Sequence, residues 1–280
     1  MVVNVQHMSG AGNLFTTLDN RAYGLTPLVI SEHAETLCLQ LTLLGRPTEG
    51  VIAINEAKGY NFEAWFFNPD GSSGMMCGNG SRCAVAFANK LGMINNPDEI
   101  KFKMAGNEYF AKIEPDGNVT VDFPPPIEIR RNIGVNVAGR FFLGDYINVG
   151  SDHFVMEPVE IVSSLRMFHQ LNIDQFAVVI RNATELFPRG VNVNFIWPEK
   201  GKLYVRTYER GVEGETGACG TGAIASAISH YMKKRIAPPI TLVPKSGDEL
   251  TVSFVAVGED FSELKLSGPA EFLEEKEIIL

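Results

Sequence analysis

The chain has 280 residues, 45% of them apolar and 20% charged, which is enough to pack one large or two smaller cores and argues against disorder. Lys and Arg number 24 against 33 Asp and Glu, a net charge of −9 with no block of like charge, so the basic footprint of a nucleic-acid or anionic-membrane binder is excluded. No stretch approaches the ~18 uninterrupted apolar residues of a membrane span, and Met1 to Gly12 does not read as a signal peptide; the expectation is a soluble, cytoplasmic protein.

Along the chain, Ser31 stands where it can cap a helix whose apolar positions Ala34, Leu37, Cys38, Leu41 and Leu44 follow helical spacing, with Gly45 as its stop. Trp65 to Phe67 reads as a strand and Asn68 to Gly74 as a glycine-rich loop. Cys77-Gly78-Asn79-Gly80 follows, then a helix over about Ser81 to Leu91. Tyr109 to Glu114 and Asn118 to Phe123 alternate in strand fashion around Pro115-Asp116-Gly117, a hairpin signal. Pro124-Pro125-Pro126 cannot donate to a central ladder and reads as an extended joint. After it the same succession returns: a strand from Val205, a glycine-rich loop, Cys219-Gly220-Thr221-Gly222, and a helix over about Ala223 to Met232.

This succession is an internal repeat. Nearly the same interval separates Cys77 from Cys219 and Ala105-Gly106-Asn107-Glu108 from Ser246-Gly247-Asp248-Glu249, and a weaker echo pairs Gly10-Ala11-Gly12-Asn13 with Gly150-Ser151-Asp152-His153. Two copies are too few for a solenoid and predict a duplicated domain: residues 1–123 with the return of about 269–280 as one half, and 124–268 as the other. Strands and helices mix in each half, so the class is α+β, with one helix per half entered directly from its cysteine loop.

The four cysteines form no Cys-x-x-Cys pair and the five histidines no His-x-x-x-His pair, which excludes the common zinc-ribbon, thioredoxin and zincin signatures. A cysteine directly before a helix sits among unpaired backbone N–H groups at the positive end of the helix dipole, where a thiolate is favoured. The same N–H groups hold a carboxylate, and Gly78, Gly80, Gly220 and Gly222 allow close approach. If the two halves close on each other, Cys77 and Cys219 face one another across a cleft. Opposed thiols suit removal of a proton from one face of a carbon and its return to the other, one sulfur as base and the other as acid. Cys38 and Cys83 read instead as packing residues of their helices.

Met75-Met76-Cys77-Gly78-Asn79-Gly80-Ser81-Arg82-Cys83, Tyr208-Glu209-Arg210-Gly211 and Ala218-Cys219-Gly220-Thr221-Gly222 resemble the diaminopimelate epimerases. The resemblance extends to Met8-Ser9-Gly10-Ala11-Gly12-Asn13, Asn68-Pro69-Asp70-Gly71-Ser72, Phe187 to Phe195 and Gly268-Pro269-Ala270. It implies a cofactor-independent isomerase that interconverts LL- and meso-2,6-diaminoheptanedioate, needs no PLP, metal or nucleotide, and works as a homodimer. It implies two pseudo-symmetric halves, each a mixed sheet round a central helix. Cys77 and Cys219 are then the catalytic pair, with His153 and Glu209 supporting proton transfer. The substrate contacts fall on Asn13, Asn68, Gly78, Asn79, Asn192, Glu209, Arg210, Gly220 and Thr221; the fork of Arg210 suits a carboxylate.

The chain departs from the family pattern at three places. Leu14 stands where the family has an acid, Ser151 where it has an asparagine, and Gly50 where some members have a glutamine. These leave room for a racemase of the same fold acting on another amino acid, such as proline or histidine. A dithiol redox or regulatory module is a rival from another class, separated by solvent-deuterium exchange at a substrate α-carbon under reducing conditions. A thiol hydrolase built on Cys219 and His153 leaves the second cysteine loop unexplained.

Overall fold

The computed structural model describes residues 1–234 and 236–280, and the chain divides into two compact units: Met1–Asp122 with Ser267–Leu280, and Phe123–Leu266. In the first unit, β1 (Val2–Gly10) and β2 (Asn13–Asp19) form an antiparallel hairpin that turns through Ala11 and Gly12, both at positive φ. Helix α1 (Pro27–Cys38) crosses to β3 (Val51–Asn55), which runs parallel to β2 and antiparallel to β4 (Phe62–Phe67). Helix α2 (Gly78–Lys90) crosses to β5 (Ile100–Met104), parallel to β4; β6 (Asn107–Ile113) and β7 (Val119–Phe123) complete an antiparallel meander. The strand reading around Pro115-Asp116-Gly117 is therefore realised as the β6–β7 hairpin.

The second unit opens on the antiparallel pair β8 (Glu128–Val137) and β9 (Arg140–Asn148). Strand β10 (Asp152–Met156) is antiparallel to β9; after α3 (Leu165–Gln170) and α4 (Asp174–Arg181) the chain enters β11 (Asn192–Glu199), parallel to β10. Strand β12 (Lys202–Glu209) returns antiparallel and carries the two-residue β13 (Gly214–Glu215). Helix α5 (Gly220–Lys234) crosses to β14 (Ile240–Val243), parallel to β12, followed by β15 (Leu250–Val257), antiparallel to β14, and β16 (Asp260–Gly268). Strand β17 (Glu271–Ile279) belongs again to the first unit, antiparallel to β1. Both units thus run through one order of pairings: hairpin, parallel crossover, antiparallel return, helix, parallel crossover, antiparallel return.

The helix after each cysteine is the centre of its unit. Helix α2 packs against β1, β2, β3, β4 and β6, and α5 against β9, β10, β11, β12, β14 and β15. Both are buried nearly all round rather than along one stripe, the mark of an interior helix. Small residues allow this: Gly80, Ser81, Ala84 and Ala88 in α2, and Gly222, Ala223, Ala225, Ser226 and Ala227 in α5 let strands approach the helix axis. The outer sheet faces carry their own layers. Ile30, Ala34 and Leu37 of α1 pack on Leu18, Val51, Ala53 and Phe67, while Phe168, Ala177 and Ile180 of α3 and α4 pack on Phe142, Phe154 and Phe195. Each such fully buried large side chain contributes about 1.5–3 kcal/mol.

Three expectations are corrected. Ser31 does not cap α1: the cap lies five residues earlier at Thr26, whose Oγ1 accepts from Val29 N, and Pro27 takes the first turn. Ser31 lies inside the helix and donates its hydroxyl to the Gly71 carbonyl at 2.8 Å, docking the first cysteine loop on α1. The helix also stops at Cys38, well before Gly45, and leaves Leu41 and Leu44 exposed. Finally, α2 and α5 begin at the glycine directly after each cysteine, ahead of the expected starts near Ser81 and Ala223. Among the described residues no helix is long and apolar enough to cross a membrane.

Candidate active site

Cys77 and Cys219 are the N-caps of the two central helices. The Cys77 carbonyl accepts the first helical bond from Ser81 N and the Cys219 carbonyl from Ala223 N, each at 2.8 Å. The side chain turns back in both cases: Gly80 N donates to Cys77 Sγ and Gly222 N to Cys219 Sγ, each at 3.4 Å. A sulfur in the place of a capping oxygen sits at the positive end of the helix, where negative charge is favoured. Both cysteines are partly buried. By contrast, burial pushes the Cys38 thiol up to about 11 and the Cys83 thiol up to about 12, so neither is a nucleophile at neutral pH.

In the first unit a line of amides leads away from the cysteine loop. Arg82, wholly buried one turn into α2, donates to Asn79 Oδ1 at 3.0 Å and to the Gly78 and Pro269 carbonyls at 3.3 Å. Asn79 Nδ2 donates to Asn13 Oδ1 at 2.9 Å, and Asn13 Nδ2 donates to the Glu49 carboxylate. The structure therefore brings Asn13, Gly78 and Asn79 together around the first helix start. Asn68 has a different post: it donates from Nδ2 to Ser72 Oγ at 2.8 Å and bonds Ser72 through its backbone, bracing the turn that precedes Cys77.

In the second unit the corresponding line leads to the sulfur. His153, with no exposed surface, has Nε2 at 2.8 Å from Ser151 Oγ and 3.0 Å from Thr221 Oγ1, and Nδ1 at 3.0 Å from Asn194 Nδ2. Ser151 Oγ donates to Thr221 Oγ1 at 3.0 Å, and Thr221 Oγ1 lies 3.6 Å from Cys219 Sγ. Burial pushes the imidazole down to about 3, so His153 is neutral, and Thr221 links it to Cys219.

Next to it, Asn192 spends both ends of its amide within the unit, Oδ1 accepting from Arg210 N at 2.8 Å and Nδ2 donating to the Asp152 carbonyl at 3.0 Å. Arg210 Nη1 is held by Asp152 Oδ2 and the Arg189 carbonyl, both at 3.0 Å, and by the Gly190 carbonyl at 3.1 Å. Burial works against the Asp152 charge, but the Tyr146 hydroxyl, Arg189 and Arg210 outweigh it and hold the carboxyl below its ordinary value. Arg210 is thereby fixed in place as a cation that remains one-third exposed. Glu209 accepts from the Thr216 hydroxyl, tying the end of β12 to the second cysteine loop. Among the described residues no group of three or more His, Cys, Asp or Glu is placed to hold a metal ion.

The departures at Leu14 and Gly50 belong to packing. Leu14 is 1% exposed, a core residue of β2. A Cβ at Gly50 would lie 2.5 Å from the Phe66 ring, so a side chain there would have to displace Phe66, and the neighbouring Glu49 supplies the polar contact to Asn13. Three participants were not legible in the sequence as site residues: Glu49, Asp152, and Ser151 as a hydrogen-bonding partner of His153. The hints are the echo that sets Gly150-Ser151-Asp152-His153 against Gly10-Ala11-Gly12-Asn13, and the departure from the family pattern at Ser151; neither points to Glu49.

A family model described as diaminopimelate epimerase matches residues 5–127 and 146–273. A diaminopimelate epimerase of Aquifex aeolicus is 37% identical over 272 residues, covering 93% of this chain and 92% of that protein. Among solved structures, a phenazine biosynthesis protein of the PhzF family from Bacillus anthracis is similar along both whole chains, with TM-score 0.77 and 13% identity. A hydroxyproline epimerase from Agrobacterium vitis, with trans-4-hydroxy-L-proline bound, has TM-score 0.72 and 15% identity over 100% of this chain and 93% of its own. At such identities these two share the fold.

Proposed function

Because the chain belongs to the diaminopimelate epimerase family, we propose that it interconverts LL- and meso-2,6-diaminoheptanedioate without PLP, metal or nucleotide, in the formation of lysine and cell-wall precursors. One of Cys77 and Cys219, as thiolate, takes the α-proton from one face of the carbon. The other, as thiol, gives its proton to the opposite face, and the reverse reaction exchanges the roles. The backbone N–H groups of Gly78, Asn79, Gly220 and Thr221 offer the α-carboxylate two helix starts, which steady the charge that develops when the proton leaves. Asn13, Asn68, Asn192 and Arg210 orient the two zwitterionic ends, and Glu209 takes the reacting ammonium. The observation that carries this reading is the duplicated cap: two cysteines, each with a helix N–H donated to its sulfur at 3.4 Å.

A second reading, a racemase of the same fold acting on another amino acid, is favoured by Ser151. Its hydroxyl is committed to His153 and Thr221 where the family pattern has an asparagine. Assay of the reduced protein with LL- and meso-diaminopimelate, proline and histidine separates the two. We expect turnover of diaminopimelate alone, and protection of both Cys77 and Cys219 from alkylation by it alone. Equal turnover and protection with a shorter amino acid would keep the two-thiol chemistry and overturn the substrate. We further propose a homodimeric, cytoplasmic enzyme, a reading supported by the family resemblance; sedimentation of the purified protein tests the dimer.

A further inference from the structure

The hydrogen atoms around His153 can be assigned from acceptors that have no choice. Asn194 places one amide atom 3.4 Å from the Phe154 carbonyl and 3.0 Å from His153 Nδ1, while its other amide atom accepts from the Thr207 hydroxyl at 2.9 Å. A carbonyl only accepts, so the first atom is the NH2 and it donates to Nδ1. Nδ1 therefore carries a lone pair, and in a neutral ring the hydrogen is on Nε2. Nε2–H then donates to the two hydroxyl oxygens beside it, Ser151 at 2.8 Å and Thr221 at 3.0 Å. Ser151 in turn donates to Thr221. With its oxygen accepting from Nε2–H and Ser151, the Thr221 hydroxyl is left to donate toward Cys219 Sγ at 3.6 Å.

We propose that Ser151 is a positioning residue for Cys219: by donating to Thr221 Oγ1 alongside His153 Nε2–H, it aims the Thr221 hydrogen at the sulfur and stabilises the thiolate. Every link points the same way, from Asn194 through His153, Ser151 and Thr221 to Cys219. The line therefore holds a negative sulfur but does not receive its proton, since His153 presents N–H and no lone pair on that side. His153 accordingly acts as a fixed neutral donor and not as the base that ionises the thiol. The role of Ser151 rests on the reading of Cys219 as an acid–base thiol.

The test is peptide-resolved alkylation of the intact, reduced protein by iodoacetamide, at a pH below the midpoint of the Cys219 rate profile. Cys77 in the same digest is the internal reference, and the buried Cys38 and Cys83, remaining unlabelled, report that each variant is folded. In Ser151→Ala the ratio of Cys219 to Cys77 rates is expected to fall about threefold. A one-unit rise in thiol pKa cuts the thiolate about tenfold, and the remaining thiolate is about threefold more nucleophilic. Ser151→Thr, which keeps the hydroxyl, holds the wild-type ratio. Thr221→Val lowers the ratio at least as far, and adding Ser151→Ala to it changes nothing more, because the link is already cut. An unchanged ratio in Ser151→Ala, or an equal further fall when it is added to Thr221→Val, overturns the proposal. Alkylation uses no substrate, so that outcome would leave diaminopimelate epimerisation standing, and loss of the epimerase reading would leave the ratio to be read on its own.

Discussion

The two cysteine loops share a backbone and differ in the direction of their hydrogen bonds. Each sulfur caps a central helix and takes an N–H from the glycine three residues on. In each unit the residue two places after the cysteine, Asn79 or Thr221, bonds toward the repeat-related residue on the neighbouring strand, Asn13 or His153. In the first unit donation runs outward, from Arg82 through Asn79 and Asn13 to the Glu49 carboxylate. In the second it runs inward, from Asn194 to Cys219. One duplicated scaffold thus carries two lines of opposite direction, the first ending on the Glu49 carboxylate and the second on the Cys219 sulfur. An acid–base pair that must hold one sulfur charged while the other is protonated can use such a difference.

The largest test removes the shared feature. Cys77→Ser and Cys219→Ser should each slow epimerisation about 10²–10⁴-fold, the usual worth of a positioned acid or base. Steady-state rates in both directions check this, and near-wild-type turnover in either variant contradicts the pairing.

A second test separates the loops by their glycines. A Cβ at Gly222 would lie 2.5 Å from Asn194 Oδ1, whose side chain is fully buried, whereas at Gly80 the nearest atoms are 3.3 Å away. Gly222→Ala should therefore cost about 1–3 kcal/mol and disturb the His153 line, while Gly80→Ala costs less than about 1 kcal/mol. Chemical denaturation and turnover of the two variants side by side measure the contrast.

His153 gives a third contrast, in pH. Its folded value of about 3 lies below the ordinary 6.5. Above pH 6.5 the ring is neutral in both folded and unfolded chain, and its contribution to stability is complete. As pH falls below 6.5 the unfolded chain takes up a proton that the folded one refuses, and stability is lost down to about pH 3, by at most about 1.4 kcal/mol per pH unit. Between pH 6.5 and 5 the wild type should lose about 1.6 kcal/mol more than His153→Gln, as read from denaturant midpoints. The smallest effect is expected at the packing cysteines, where Cys38→Ala and Cys83→Ala change stability by about 1 kcal/mol and leave turnover near wild type.

The duplicated pattern was legible because Cys-Gly-x-Gly and its flanking strands are local signals that recur in register. The hairpin at Pro115-Asp116-Gly117 was legible through turn chemistry, and α2 and α5 through their Ala-rich runs. Their first turns were not, because Gly78, Gly80, Gly220 and Gly222 read as loop until a capping sulfur fixes them. Ser31 misled for a similar reason: it has the chemistry of a cap, yet Thr26-Pro27 offers a better start and Ser31 bonds a loop forty residues away. Leu14 and Gly50 looked like altered substrate contacts because only the folded register shows one in the core and the other against Phe66. Ser151, Asp152 and Glu49 depend wholly on that register. Thr221 for Ser151, Arg189 and Arg210 for Asp152, and Asn13 for Glu49 all lie far away along the chain, and no local rule connects them.

Epimerisation in deuterium oxide with the reduced protein tests the proposed two-thiol chemistry at one α-carbon. Sulfhydryl hydrogens exchange with solvent, so the thiol that completes each turnover carries deuterium. Early in the reaction from LL-diaminopimelate, the account predicts one deuterium at the inverted carbon of the meso product and none in the remaining LL-isomer. Equal label in product and remaining substrate, or a product that keeps the original α-hydrogen, would mean that a single group removes and returns the proton, and would contradict the account.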